Sequence, residues 1–440
     1  MASTYGRVRG TFALMGLVSI VVIYAIVTGW DPLPGWGNWL ENVTARNLST
    51  PSPVWSKRAG DEPDSATVLP NGIVVVEEGS VEVRDPTTGA VDWTRAASWA
   101  GVAGGAAPVV MVGRPVGNGF DVYDVTTGLR IWGSNDKAGI WPYADKVLML
   151  TCSGPSTCVL RSVDPGTGRA HWSTTINGSG AGLYGFQHTL AGLTQVSSAY
   201  ATPLRGVQEP APELIGLPMA GSIHVINTGN GRQLHTFAST AATRVVVTDH
   251  YVIASSAVMR GSQCYYSVVA RSPSTGGQLW QRSGIDLRTA AGLGCESSSN
   301  PYGSGDDLLG IDIGGHDIVV SASSGNVLFQ ARTGERVVAM DTRMAVVRTA
   351  DHKSLRAVTL GSGHQQWEQG AQRSALVGVA PDFVLVADPT GEGKLVAYAR
   401  QSGAALLSVT STATVLGIGS NLIMIYIGRT IGPLAVGSGP

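Results

Sequence analysis

The chain has 440 residues, 30 basic and 31 acidic, with a formal net charge of −1; only 14 % of its residues are charged, while 58 are glycine. Low charge with abundant glycine excludes a coiled coil or a disordered chain. The balanced charge supplies no field for a phosphate backbone, so nucleic acid is excluded as a partner.

The first element in chain order is the one long apolar run, Thr11 to Gly29. As a helix it spans about 28 Å, close to the hydrocarbon thickness of a bilayer. Arg7 and Arg9 precede it and Asp31 is the first acid after it, so the positive-inside rule places residues 1–10 in the cytoplasm and the remainder outside. The run is longer than the apolar region of a secretory peptide and lacks a small-x-small end. It is therefore expected to be an uncleaved transmembrane signal anchor over residues 11–29, making the cytoplasmic membrane a partner. No cysteine follows it to take a lipid.

Export makes disulfides chemically accessible, and four cysteines allow three pairings. Cys152 and Cys158 bracket a short SGPST stretch between two β-rich runs, which pairs them across a hairpin and leaves Cys264 for Cys295. A metal site is disfavoured, since there is no C-x-x-C and the eight histidines are scattered without ligand spacing.

A repeat organises the rest. It reads DPTTGAVDW to Trp93, DVTTGLRIW to Trp132 and DPGTGRAHW to Trp172, with later copies ending at His235, Trp280, Phe329, Trp367 and Leu407. The shared glycines are Gly89, Gly128, Gly168, Gly231, Gly276, Gly325, Gly363 and Gly403. Each period holds about four short strand-like runs separated by turn residues. Such units bury their faces by radial packing, so the expected fold is all-β, an eight-bladed β-propeller of four-stranded blades over residues 65–440. Residues 30–64 would form a juxtamembrane linker and ring-closing segment. Either terminus could complete a sheet begun by the other, as outer strands or as a composite extra blade. The tail from 414 to 434 is read as strands rather than a second membrane helix, because Asn421, Arg429 and Pro433 interrupt it.

In this repeat Asp and Thr bond the turn backbone, Gly admits positive φ, and Trp offers a flat surface to the neighbouring blade. Trp93, Trp132, Trp172, Trp280 and Trp367, with Gly89, Gly128, Gly168, Gly276 and Gly363, are accordingly expected to dock blades rather than stack on a ligand. The D-x-x-T-G-x-x-x-W pattern resembles the tryptophan-docking repeat of quinoprotein-like propellers. That family includes pyrroloquinoline quinone dehydrogenases and the non-catalytic propeller of the outer-membrane barrel-assembly machinery. A Gly-His start and Trp-Asp end, the marks of WD-repeat propellers, do not recur here.

A dehydrogenase of that family would need a calcium site, an Asp base and often vicinal cysteines, and the last are absent here. No G-x-S-x-G elbow is present either. No catalytic, cofactor-binding or metal residue is assigned, and no cofactor is expected. The expected function is an extracytoplasmic scaffold that binds a protein or envelope partner at a propeller end face. A quinoprotein-like enzyme and a ligand sensor are the alternatives. Two segments exceed the average blade, Ala191 to Pro212 and Asp286 to Asp307.

Overall fold

The computed structural model describes residues 47–437 except 137, 154–156, 178–184, 187–189, 194–208, 220, 241, 289–294, 296–300 and 389. Blade 1 shows how the repeat folds. Its strands Pro63–Leu69, Gly72–Glu77, Ser80–Arg84 and Val91–Ala96 pair antiparallel in chain order. The second strand, GIVVVE, is almost wholly buried because it packs between two neighbouring blades. The outermost strand, VDWTRA, buries only Trp93, as expected for a sheet edge facing solvent on most of its surface.

Further blades follow at residues 99–134, 138–177, 214–238, 243–283, 285–330, 336–370 and 376–409, numbered 2 to 8 in chain order. A ninth sheet combines Thr414–Ile418, Leu422–Ile427 and Thr430–Ala435 with the short strand Lys57–Arg58, which precedes blade 1 in the chain. Hydrophobic clusters occupy the seams. Trp93 and Val110 lie between blades 1 and 2, Trp367 and Val384 between 7 and 8, and Ile73 and Met424 between 1 and 9. The ring is closed.

The fold corrects the expectation of eight blades: the described residues form nine. Eight blades carry an Asp- or Asn-type turn before their outer strand, or a variant of it, and the periodicity counted those turns. Blade 9 has none, because its third and fourth strands come from opposite sides of the other eight blades in sequence and no turn joins them. Blades also depart from four simple strands. Among the described residues blade 4 has three, and its inner edge is met by Ala191, whose N–H donates to Gly216 O while its carbonyl accepts from Val247 N. In blade 6 the inner strand is split into Ile285–Asp286 and Tyr302–Ser304, both paired with Asp307–Asp312.

The expected transmembrane helix has no counterpart among the described residues. Among the described residues no helix is long and apolar enough to cross a membrane. Thr11 to Gly29 lies outside the described residues, and the apolar tail is the three antiparallel strands of blade 9.

Residues 47–60 form a strap across the closure. Thr50 bridges Thr410 after blade 8, Lys57 and Arg58 pair with Ile431 and Thr430 of blade 9, and Trp55 reaches blade 1. Within each blade the first-to-second and third-to-fourth connections lie at one end of the ring, here the turn face. The second-to-third connections and the blade-to-blade crossovers lie at the other, the crossover face.

Candidate functional site

The repeat residues build the seams. Asp85 Oδ1 accepts from the backbone N–H groups of Thr87 and Thr88, at 3.0 and 2.7 Å, and from both threonine hydroxyls, at 2.6 and 2.8 Å. These bonds, the Thr87 hydroxyl first, lower its pKa to about 2. Asp124 and Asp164 hold the same turn through Thr127 and Thr167. The turn presents a glycine at positive φ to the preceding blade. At Gly128, with φ 63°, a Cβ would lie 2.6 Å from Trp93 Cγ, so no other residue fits without displacing the indole.

Each tryptophan also donates its indole N–H into the next blade. Trp93 bonds Val125 O at 2.9 Å, Trp132 bonds Pro165 O at 2.7 Å and Trp172 bonds Thr228 O at 3.0 Å. Trp280 bonds Ala322 O at 2.7 Å and Trp367 bonds Arg400 O at 2.9 Å. Their rings cover Gly128, Gly168, Gly231, Gly325 and Gly403, and the His235 ring covers Gly276.

Two positions depart from the pattern. Gly89 is covered by Trp55, whose N–H bonds Pro86 O at 3.0 Å. Trp55 is a docking residue that the motif search missed, since no turn precedes it in sequence. Its only signal was an isolated tryptophan in the stretch PSPVWSKRA, Pro51 to Ala59. Gly363 is bare, with nothing within 4 Å of its Cβ position. Phe329 is buried in the seam core instead, and Gly361 N bonds Leu328 O directly at 3.0 Å.

The turn face carries an acidic group near the axis. Asp306 accepts from Thr248 Oγ1 at 2.6 Å and His250 N at 3.0 Å, and its Oδ2 lies 2.6 Å from His250 Nδ1. That contact raises the imidazole pKa. Asp341 is paired with Arg400. Among the described residues no cation pairs with Asp307; burial, then Asp306 and Asp341, raise its pKa to about 6.

The crossover face carries both disulfides, Cys152–Cys158 and Cys264–Cys295. The first joins directly opposed residues near the end of a blade 3 hairpin. The second braces an extension of blade 5. There, Val252–Arg260 and Gln263–Arg271 pair over nine residues, but the flanking strands reach only Ser256 and Ser267. Residues 257–266 therefore project as a two-stranded ribbon, a form marginal in isolation. Cys295 comes from the long segment of blade 6 and is buried with Ala257 against Cys264 and Tyr266. The opposite face of the ribbon is open: Val258 and Tyr265 are cross-strand partners, 54 % and 51 % exposed, and the Arg260 guanidinium lies 5.3 Å from the Tyr265 ring centre.

Calcium takes six to eight oxygen ligands, and among the described residues no three His, Cys, Asp or Glu side chains converge in a metal-holding arrangement.

Residues 265–417, from blade 5 into blade 9, match the family described as outer membrane protein assembly factor BamB, with PQQ-type repeats. The chain carries the PQQ-like β-propeller repeat. No curated protein sequence matches. Solved structures of similar fold include BamB from Moraxella catarrhalis, at 12 % identity over 87 % of this chain and 98 % of that one, with a TM-score of 0.39. Quinohemoprotein alcohol dehydrogenase ADHIIG from Pseudomonas putida HK5 is 13 % identical over 88 % of this chain and 76 % of that one, with a TM-score of 0.40.

Proposed function

We propose that this propeller is an extracytoplasmic scaffold without a reaction of its own, and that it binds a protein partner through its crossover face. The observation that carries the reading is the exposed Val258–Tyr265 pair on the projecting ribbon of blade 5. A rigid, amphipathic aromatic beside an aliphatic side chain is the kind of surface that anchors protein interfaces. Cys264–Cys295 fixes that ribbon to the next blade, so little conformational freedom is lost on association. Two disulfides support an oxidising compartment, and the family matched over residues 265–417 is named for outer-membrane protein assembly.

The test is photo-crosslinking in intact cells from a reactive residue at the exposed position 263 of the same ribbon, in the parent and in a Val258→Ser/Tyr265→Ser variant. A discrete crosslinked partner is expected, and it should be lost in the variant while the melting temperature stays unchanged. Retention of the partner by the variant would move the interface elsewhere. Incubation of the protein with pyrroloquinoline quinone and calcium should yield no dye reduction with alcohols or sugars; turnover would overturn the scaffold reading.

A further inference from the structure

A cavity of about 580 Å³ opens at the crossover face in the seam between blades 7 and 8, within the size range of small-molecule sites. Its inner wall is apolar, formed by Val386, Val396 and Tyr398 of blade 8 with Ala371 and Ala375 of the crossover. Its rim is cationic. Lys353, Arg373 and Lys394 line it, and none of them pairs with a described carboxylate. The whole chain has five lysines, and two of them meet here.

The two acids of the rim are already committed to their loops. Asp351 Oδ1 accepts from Thr349 Oγ1 at 2.7 Å and Lys353 N at 3.1 Å. Asp388 Oδ1 accepts from Thr390 Oγ1 at 2.6 Å, Thr390 N at 3.1 Å and Ser374 Oγ at 3.1 Å. Behind the crossover lies a further cation. Arg348 is 7 % exposed and donates only to carbonyls, Gln372 O at 2.7 Å and Ala375 O at 2.5 Å. No described carboxylate neutralises it, so four cations stand against the two ionised rim carboxylates and the site keeps a positive surplus.

We propose that this cavity binds an organic phosphate, with the phosphate held by Lys353, Arg373 and Lys394 and the organic body lying on Tyr398, Val386 and Val396. Separate ammonium groups act as point-charge donors to phosphate, and a guanidinium adds a planar fork. Three cations can meet the several oxygens of a phosphate group, where a carboxylate offers only two. The apolar wall selects an ester over the free ion. The site is separate from the blade 5 ribbon, so it stands or falls independently of the protein-binding surface.

Calorimetric titration of the whole chain with glucose 6-phosphate tests this, with inorganic phosphate and phosphatidylglycerol vesicles as parallel arms. Saturable binding of glucose 6-phosphate or of the vesicles is expected, tighter than inorganic phosphate and weakening as salt rises. The first arm would assign a soluble ester and the second a lipid headgroup. A Lys353→Gln/Arg373→Gln/Lys394→Gln variant should lose at least tenfold in affinity at an unchanged melting temperature, whereas Lys146→Gln should bind as the parent does. Absence of binding in both ester arms at millimolar phosphate, equal affinity for inorganic phosphate, or full affinity in the triple variant would overturn the proposal.

Discussion

Trp55 docks on Gly89 as the repeat tryptophans dock on theirs, yet it belongs to the N-terminal strap and covers the seam where the ring closes. It thereby serves as the docking residue of blade 9. Trp55→Ala removes a buried indole and its bond to Pro86 O, and is expected to cost about 3–5 kcal/mol. Chemical denaturation should place it in the same range as Trp93→Ala. A loss under about 1 kcal/mol, the size of an ordinary surface change, would show that the strap is peripheral to closure.

The seam between blades 6 and 7 is the converse case. Gly363 is uncovered and a cavity of about 330 Å³ lies beside Phe329 and Arg356. Phe329→Trp extends an indole toward the bare glycine and should stabilise the protein by about 0.5–2 kcal/mol, the usual gain from filling a cavity. A lowered melting temperature would mean that the buried Phe329 site has no room to turn outward.

Below that ring, Arg356 is paired with Glu335, both 4 % exposed, with Arg356 Nε donating to Oε1 at 2.9 Å. Glu335→Ala strands a buried guanidinium and should cost about 3–5 kcal/mol. The double variant Glu335→Ala/Arg356→Met should recover much of that loss. No recovery would place the cost in packing rather than charge.

Asp307 sets a pH dependence. Its pKa is raised from 3.8 to about 6 in the folded state, so its favourable contribution is complete below the unfolded value of 3.8 and disappears as pH rises through about 6. Asp307→Asn should therefore melt higher than the parent at a pH well above that folded value and lose its advantage at a pH below the unfolded one. A difference independent of pH would exclude ionisation as its cause.

The parts legible in the sequence were those written as local chemistry. The Asp85, Asp124 and Asp164 turns repeat because one carboxylate satisfies several turn donors, and the tryptophan follows at a fixed offset because the outer strand exposes every other residue. Cysteines six residues apart between β-rich runs likewise announce a hairpin. What escaped depended on distant partners. Blade 9 has no turn of its own, so periodicity returned eight units. The bare Gly363 follows a variant turn with Thr359 in place of Asp, and the preceding copy ends in Phe329, but neither change announces that this ring is buried in the seam core instead of lying over the glycine. The cavity between blades 7 and 8 gathers Lys353 and Arg373 from two connections and Lys394 from the start of a strand, each unremarkable alone. The projecting ribbon arises from strands that outrun their neighbours, which strand-like composition does not reveal.

The strap joins segments far apart in the polypeptide: Arg429 donates to Gly60 O across 369 positions. Such contacts form slowly, since the loop they close must be ordered before they reward it. A nascent chain can dock Trp55 on Gly89 early, but Lys57 and Arg58 lack their strand partner until Thr430 and Ile431 have emerged. A product that stops short of Thr414 would be an open arc of eight blades with two bare flanks, ready to adhere to a second copy. The three strands of blade 9 thus supply both the last sheet of the ring and the edge on which Lys57 and Arg58 are held.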